Sequence, residues 1–489
     1  MLNGQEGYIK AIDIGLDLGY GQCLVEYNSD TIIGLSRCWE DADGWSNHHK
    51  MCFSVFDKTG DLLRTDTYPD SLFMHNDLHN HLYLSDNKVV AYCSGYDLIG
   101  YWLEYDVDGG VVTVINDGLF PDDIVIKSSG FIQLDNGQYS AIYNDFNPPH
   151  DSGIGRFDQN FNLIDFINIQ PPSDANLVIY LIEKEANNNQ LIAGVYQHDE
   201  PGLLLRKPFF KEYTLDGELV WEYDLPETYN NYHVDAILPL EDEDAIICTF
   251  EYTEFINGEG SEHRVAKISK TDGVVWDIPF GFRKEQAISN HVLPNIFKSY
   301  DDDGYIVAGS VYVTDSIWYN RAMIGKISPE GDSLWMRTYA VSETYNARNS
   351  INDFVKSSDG GFIGIGDQAY GTTSATPEGE DIRKVLLIKT DKDGYITPPI
   401  GSSTEIIASD IGVTLYPNPA SDYLTIYQES EKALDLTLFD AQGQELYQST
   451  TTGGSHYLFH NVSIYPEGHY YLHVSDGKAL EVLPIVVCH

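Results

Sequence analysis

The sequence predicts an all-β protein: a ring of repeated four-stranded units followed by a small sandwich. Composition is the first reason. The 489-residue chain carries 34 Tyr and 42 Gly and is 12% aromatic. That balance suits strands and tight turns, and long helical patterns of Ala, Leu, Glu and Lys are scarce. Its 42% hydrophobic content is enough for a substantial core. The second reason is a repeat. Turn glycines Gly217, Gly273, Gly331 and Gly394 recur 56, 58 and 63 residues apart, and Gly60 and Gly109 lie 49 apart. The third is a set of short runs that are apolar on both faces, such as Val385-Leu386-Leu387-Ile388. They read as strands covered from both sides.

Each unit is an apolar strand, an acidic turn with Gly, a second strand, a variable loop, and a third strand. The third strand ends in an Asp/Glu-Gly turn, often followed by Trp. The clearest unit runs from Asp353-Phe354-Val355 through Asp359-Gly360-Gly361 to Asp391-Lys392-Asp393-Gly394. Trp221, Trp276 and Trp335 follow turn glycines at a similar offset and are expected to pack between units. A degenerate copy at Asp158–Leu163 fills the gap between Gly109 and Gly217. Seven units result, at approximately 20–68, 79–120, 121–170, 176–226, 232–281, 291–340 and 350–400. A lone four-stranded sheet cannot bury both faces, but a ring of such sheets can, and closure removes exposed edges. The reading is therefore a seven-bladed β-propeller over residues 1–400, with Tyr8 to Ile14 adding a strand to the last blade. The unit resembles the loosely defined propellers of exported bacterial proteins with Asp-x-x-Gly…Trp turns. It lacks the Gly-His…Trp-Asp signature of WD repeats.

Residues 401–412 read as a linker, within a Pro-, Gly-, Ser- and Thr-rich stretch. From 413 to 489 the pattern changes. Leu434, Leu436 and Leu438 alternate toward one face, and Asp440-Ala441-Gln442-Gly443 turns into Glu445-Leu446-Tyr447. About seven short strands in this space imply an immunoglobulin-like sandwich. Three blocks stand out: Asn418-Pro419, Asp440-x-x-Gly443 between strands, and Gly468-x-Tyr470 before the last hairpin. In order and spacing they resemble the type A C-terminal sorting domain of type IX secretion cargo in Bacteroidota. The chain departs from that pattern at Glu467, where a small apolar residue is usual, and at Cys488-His489, where a basic residue is common. The resemblance implies engagement of the type IX secretion machinery and transit across the outer membrane. It also implies removal of the domain, with the remainder secreted or held at the outer-membrane surface.

Charge narrows the function classes. Lys and Arg number 29 against 75 Asp and Glu, a formal net charge of -46. Such a surface disfavours nucleic acid and anionic lipid. No run of 18 apolar residues occurs, so no transmembrane helix is expected. Met1 to Gly19 shows neither a basic region nor a continuous apolar one. The sorting resemblance implies passage of the inner membrane first, so a removed signal peptide or a late gene start is expected. Six Cys are too few for a disulfide scaffold of this size, and no CxxC occurs. Cys38 and Cys52 flank a hairpin and suit either a disulfide in an oxidising compartment or two buried thiols.

Several residues combine candidate chemistry with a plain structural reading. His75, His79 and His81 carry metal-ligand chemistry in one short segment, but they also suit an ordinary polar loop. Acidic turns such as Asp301-Asp302-Asp303-Gly304 contain Asp301 and Asp303 at calcium-loop spacing without the distal Glu of a full loop. Asp-Gly is also the favoured hairpin turn. Calcium is the one cofactor these turns suggest. Gln22, Asp123, Asp235, Asn295 and Asp353 open the innermost strands and are candidates to line the central channel. Trp39, Trp45, Trp102 and Trp318 fall outside the repeated Trp offset and are candidates to stack on a sugar. No GxSxG, P-loop or Cys/His nucleophile signature is seen. The expectation is a surface or secreted binding protein for a glycan or protein. The alternative is an extracellular hydrolase of a polysaccharide or other polymer, working through channel carboxylates.

Overall fold

The computed structural model describes residues 7–14, 18–39, 49–68, 82–85, 87–94, 100–116, 130–144, 152–173, 175–200, 203–240, 243–252, 262–280, 295–312, 320–341, 347–370, 382–396, 407–408, 411–416, 418–420, 423–428, 432–451, 456–462 and 464–488. Within them, four-stranded antiparallel sheets follow one another along the chain. Blade 1 is Leu18–Asn28, Thr31–Trp39, His49–Asp57 and Leu62–Thr67; blade 2 is Tyr83–Ser85, Lys88–Ser94, Gly100–Asp106 and Val111–Asn116. Blade 3 is Phe131–Gln133, Tyr139–Asn144, Ser152–Phe157 and Leu163–Ile169; blade 4 is Asn176–Lys184, Gln190–Glu200, Leu203–Tyr213 and Leu219–Asp224. Blade 5 is Tyr232–Leu240, Ala245–Tyr252, Glu262–Ser269 and Gly273–Pro279; blade 6 is Asn295–Lys298, Tyr305–Tyr312, Asn320–Ile327 and Ser333–Ala340. Blade 7 combines Ala347–Lys356, Phe362–Tyr370 and Ile382–Thr390 with the N-terminal strand Tyr8–Ile12, paired from Tyr8↔Lys389 to Ile12↔Val385. First strands of adjacent blades meet at the centre, as those of blades 4 and 5, 5 and 6, and 7 and 1 do. The architecture is a β-propeller whose last blade is built from both ends of the ring.

The acidic turns explain the repeat. In blade 1, Asp57 Oδ1 accepts the N–H of Thr59 at 2.8 Å and of Asp61 at 3.0 Å. In blade 7, Asp391 Oδ1 accepts those of Asp393 at 3.0 Å and Tyr395 at 2.8 Å. Ser328 and Thr214 hydroxyls take the same place in blades 6 and 4. The side chain caps a turn that the backbone alone would leave unsatisfied. Strand pairing shifts by one residue beside the turn, as at Val55/Phe56 and Lys326/Ile327. In the degenerate copy Asp158 caps in the same way, and Phe161 stands at the left-handed position with φ 64°. Its ring is buried 4.8 Å from that of Trp102.

Outer strands then grip the next blade at its turn. Trp221 Nε1 donates to Lys270 O at 2.9 Å, Trp276 Nε1 to Pro329 O at 3.0 Å, and Arg337 Nε to Asp393 O at 2.9 Å. Arg64 of blade 1's outer strand reaches Val107 O in the same sense, and Arg156, from blade 3's third strand, reaches Leu215 O at the blade 4 turn. Gly331, at φ 94°, leaves no room above the indole: a Cβ there would lie 2.9 Å from Trp276 Cδ2. Where the ring closes, Tyr8 fills that place under Gly60. Apolar clusters lie between neighbouring blades, each fed by two sheets. Trp102 belongs to one of them, fully buried among Tyr92, Phe131, Tyr139, Phe157 and Phe161. It is therefore core and not a sugar platform, which corrects that expectation. The side chain of Trp39, and Trp45 and Trp318, lie outside the described residues.

Cys38 and Cys52 form a disulfide across the second and third strands of blade 1, with Cα atoms 6.6 Å apart. Cys23 and Cys248 are buried free thiols, and Cys488 is exposed. Among the described residues no helix is long and apolar enough to cross a membrane, which says nothing of a β-barrel.

The C-terminal segment is a second, smaller β unit. One sheet runs Ile407–Ala408, Val413–Tyr416, Tyr423–Gln428, His456–Asn461; the other runs Glu445–Thr450, Asp435–Asp440, Gly468–Ser475, Leu480–Val487. Leu434, Leu436 and Leu438 all point into the core between them, with Leu415, Ile426 and Ile485. The first sheet continues into the propeller: Thr338↔His456, Tyr339↔Tyr457 and Ala340↔Leu458 pair in parallel at the outer edge of blade 6.

Candidate functional site

Inner strands carry buried polar residues, among them Gln22, Asp235, Asn295, Asn352 and Asp353. Several sit at or beside a bulge, where pairing slips between Gly21 and Cys23, Ile179 and Leu181, Val234 and Ala236, and Ile351 and Asp353. The slipped residues are Gln22, Tyr180, Asp235 and Asn352. A bulge leaves backbone groups without ladder partners and turns side chains out of strict alternation. Neighbouring blades supply the missing partners. Asp353 Oδ2 accepts the N–H of Leu24 at 2.8 Å, and Asn352 Nδ2 donates to Gly21 O at 2.7 Å, joining blade 7 to blade 1. Asn295 Nδ2 reaches Asn352 O at 3.5 Å. Asn144 holds both backbone groups of Ile179, N–H at 2.8 Å and O at 2.9 Å.

Of the channel candidates, Gln22, Asn295 and Asp353 are thus buried in or beside these inter-blade contacts. Asp123 lies outside the described residues. Asp235 differs. Its Oδ1 is 3.2 Å from His233 Nδ1, and its Oδ2 has no hydrogen-bond partner although the residue is 1% exposed. His233 keeps some exposure, and its ring lies 3.9 Å from that of Tyr180 on blade 4. Burial lowers the pKa of nearby His263, against an opposing pull from the charge of Asp235. A carboxylate fixing one imidazole nitrogen selects the tautomer and leaves the other nitrogen free to bind or transfer a proton. Sequence reading named Asp235 but missed His233 and Tyr180, because their meeting depends on two blades lying side by side.

The metal candidates divide. His75, His79 and His81 lie outside the described residues. Asp301 Oδ2 pairs with Lys392 Nζ of blade 7 at 2.5 Å, whereas Asp303 Oδ1 pairs with Lys326 Nζ at 2.6 Å and accepts from Ser299 Oγ at 2.7 Å. Lys326 and Ser299 hold the Asp303 carboxyl below its usual pKa. The two carboxylates are therefore engaged by different lysines. Among the described residues no group of three or more His, Cys, Asp or Glu is arranged to hold a metal.

The ring has two unlike faces. Connections between first and second, and third and fourth strands are short, none longer than the six residues 299–304. At the opposite end of the strands the sequence between consecutive strands often runs longer, as at 40–48, 69–81, 117–129, 253–261, 281–294 and 371–381, residues outside the described ones, whereas 201–202 separates two strands of blade 4 by two residues. His233 and Tyr180 belong to the strand halves that open from this second face.

In the C-terminal sandwich the three sequence blocks share one structural task. Asn418, cis-bonded to Pro419, donates from Nδ2 to Pro484 O at 3.0 Å and accepts the Val486 N–H at 2.7 Å. Asp440 caps its turn by accepting from Gln442 N at 2.9 Å and Gln444 N at 2.8 Å, with Gly443 at φ 81°. Tyr470 pairs with both Asp440 and Ile485, Gly468 pairs with Val487, and the Tyr470 hydroxyl donates to Pro466 O at 2.6 Å. All three blocks bear on the placement of the last strand.

Residues 414–487 match the secretion system C-terminal sorting domain family. The C-terminal sandwich is a type IX sorting domain. No curated protein matches the chain. Among solved structures, a protein of unknown function from Dyadobacter fermentans is 9% identical, with TM-score 0.40 over 78% of this chain and 97% of that one. A puromycin hydrolase is 10% identical, with TM-score 0.45 over 85% of this chain and 60% of its own. The β-propeller domain of the Trilobed protease from Pyrococcus furiosus is 10% identical, with TM-score 0.39 over 78% and 100%. The sorting domain implies the type IX secretion machinery as partner, and a secreted or outer-membrane-surface destination for the propeller.

Proposed function

We propose that the propeller is an exported binding protein that takes a glycan or protein ligand on its loop-bearing face. The observation that carries this reading is the asymmetry of the ring. One face consists of short turns whose polar groups are mostly satisfied within the turn. At the other, consecutive strands are separated in sequence by as many as fifteen residues, which suits a rigid scaffold that presents variable recognition loops. Its polar inner-strand residues are largely occupied in joining blades, which supports binding over catalysis.

The test is a glycan array and a pull-down from extracellular material with the full chain, beside a panel of hydrolase substrates. Replacing residues 253–261 by a two-residue turn is expected to cut binding at least tenfold with the melting temperature unchanged. Turnover without retained ligand would overturn the reading. A second reading, a hydrolase of an extracellular polymer, is supported by the His233–Asp235 contact beside Tyr180. His233→Ala would then abolish turnover while leaving the fold intact.

A further inference from the structure

The sorting domain does more than follow the propeller along the chain. Its strand His456–Asn461 extends blade 6 by parallel pairing with Thr338, Tyr339 and Ala340. Blade 6's outer strand changes character along its length: Leu334 is 50% exposed, whereas Thr338, Tyr339 and Ala340 are 2%, 0% and 0% exposed. Tyr427 of the sorting domain, 6% exposed, joins the apolar cluster between blades 6 and 7. Its ring meets Tyr395 at 5.9 Å and 79°. Arg337 covers Tyr395 at 3.7 Å and holds the blade 7 turn through Asp393 O, which fixes the far side of the same pocket. Two kinds of interaction therefore join the units apart from the linker. An edge strand finds its backbone partners, and an aromatic side chain enters a core that two blades have already formed.

We propose that the outer edge of blade 6 is a strand-acceptor site for the sorting domain, which keeps the two units together after the chain between them is cut. A break in the linker and release of the domain are then separate events, and the second requires the Tyr427 contact and the strand pairing to be lost.

The experiment places a site-specific protease sequence between Ile400 and Glu405 of the full chain and cuts it. Size-exclusion chromatography at micromolar concentration is expected to show both fragments in one peak. Two separate peaks would overturn the proposal. In a Tyr427→Asp variant the C-terminal fragment is expected to elute alone. Because that variant could fail by unfolding the sorting domain, a second arm uses Thr338→Cys with His456→Cys. These positions are paired neighbours, within reach of a disulfide. After cutting and mild oxidation the fragments should migrate as one covalent species without reductant. Absence of that species would also refute the proposal.

Discussion

The grip between each outer strand and the following turn can be tested at Gly331. This residue adopts φ 94°, and a Cβ would lie 2.9 Å from Trp276 Cδ2 and 3.1 Å from Cε3. Alanine there meets two penalties. The left-handed backbone costs an L-residue roughly 1–2 kcal/mol, and forcing a methyl group against the indole adds roughly 1–3 kcal/mol. Gly137 supplies the control: its φ is 79°, but nothing lies within 4 Å of its would-be Cβ. Gly137→Ala should therefore lose only the first quantity, and Gly331→Ala should exceed it by roughly 1–3 kcal/mol. Urea unfolding followed by tryptophan fluorescence reads both, as midpoint shifts at constant slope. A Trp276→Phe background should narrow the gap, since the contact and the added methyl group are coupled. Equal destabilisation by the two alanines would refute the steric account of the grip.

Three further outcomes follow from the structure. The Cys38–Cys52 bond closes a separation of 14 residues, so the double serine variant should lose about 3 kcal/mol, measured by urea unfolding with and without reductant. In the sorting domain, burial holds His460 down at about 4 from 6.5. The unfolded chain therefore binds the extra proton first, so the stability associated with neutral His460 is whole above pH 6.5. It is lost progressively as pH falls toward 4, by roughly 3 kcal/mol in all; His460→Phe should flatten the pH dependence of melting in that window. Finally, EDTA should leave the melting temperature unchanged, since Asp301 and Asp303 are paired with lysines and Asp57 and Asp391 with backbone N–H groups. A fall in melting temperature would instead assign a cation to the acidic turns.

Much of the architecture was legible because it rests on local chemistry. An Asp or Ser followed by a turn glycine caps its own hydrogen bonds within four residues, so the period of the ring is written in the turns. Apolar runs such as Val385 to Ile388 announce strands covered on both sides. The Asn418, Asp440 and Tyr470 blocks mark the sorting domain by order and spacing. Other features depend on residues far apart in the chain. A bulge slips the strand by one residue, so strand parity could not say that Asp353 turns to Leu24 of blade 1, nor that Asp235 faces His233 beside Tyr180. Trp102 looked exceptional only because its partners, Phe131 and Phe157, come from the next blade. A ring of sheets and its export domain are written in the chain itself, since periodicity and turn capping act over a few residues. Which polar groups join blades, which cysteines bond and where the sorting domain docks emerge on folding, because those depend on surfaces that meet only once the ring has closed.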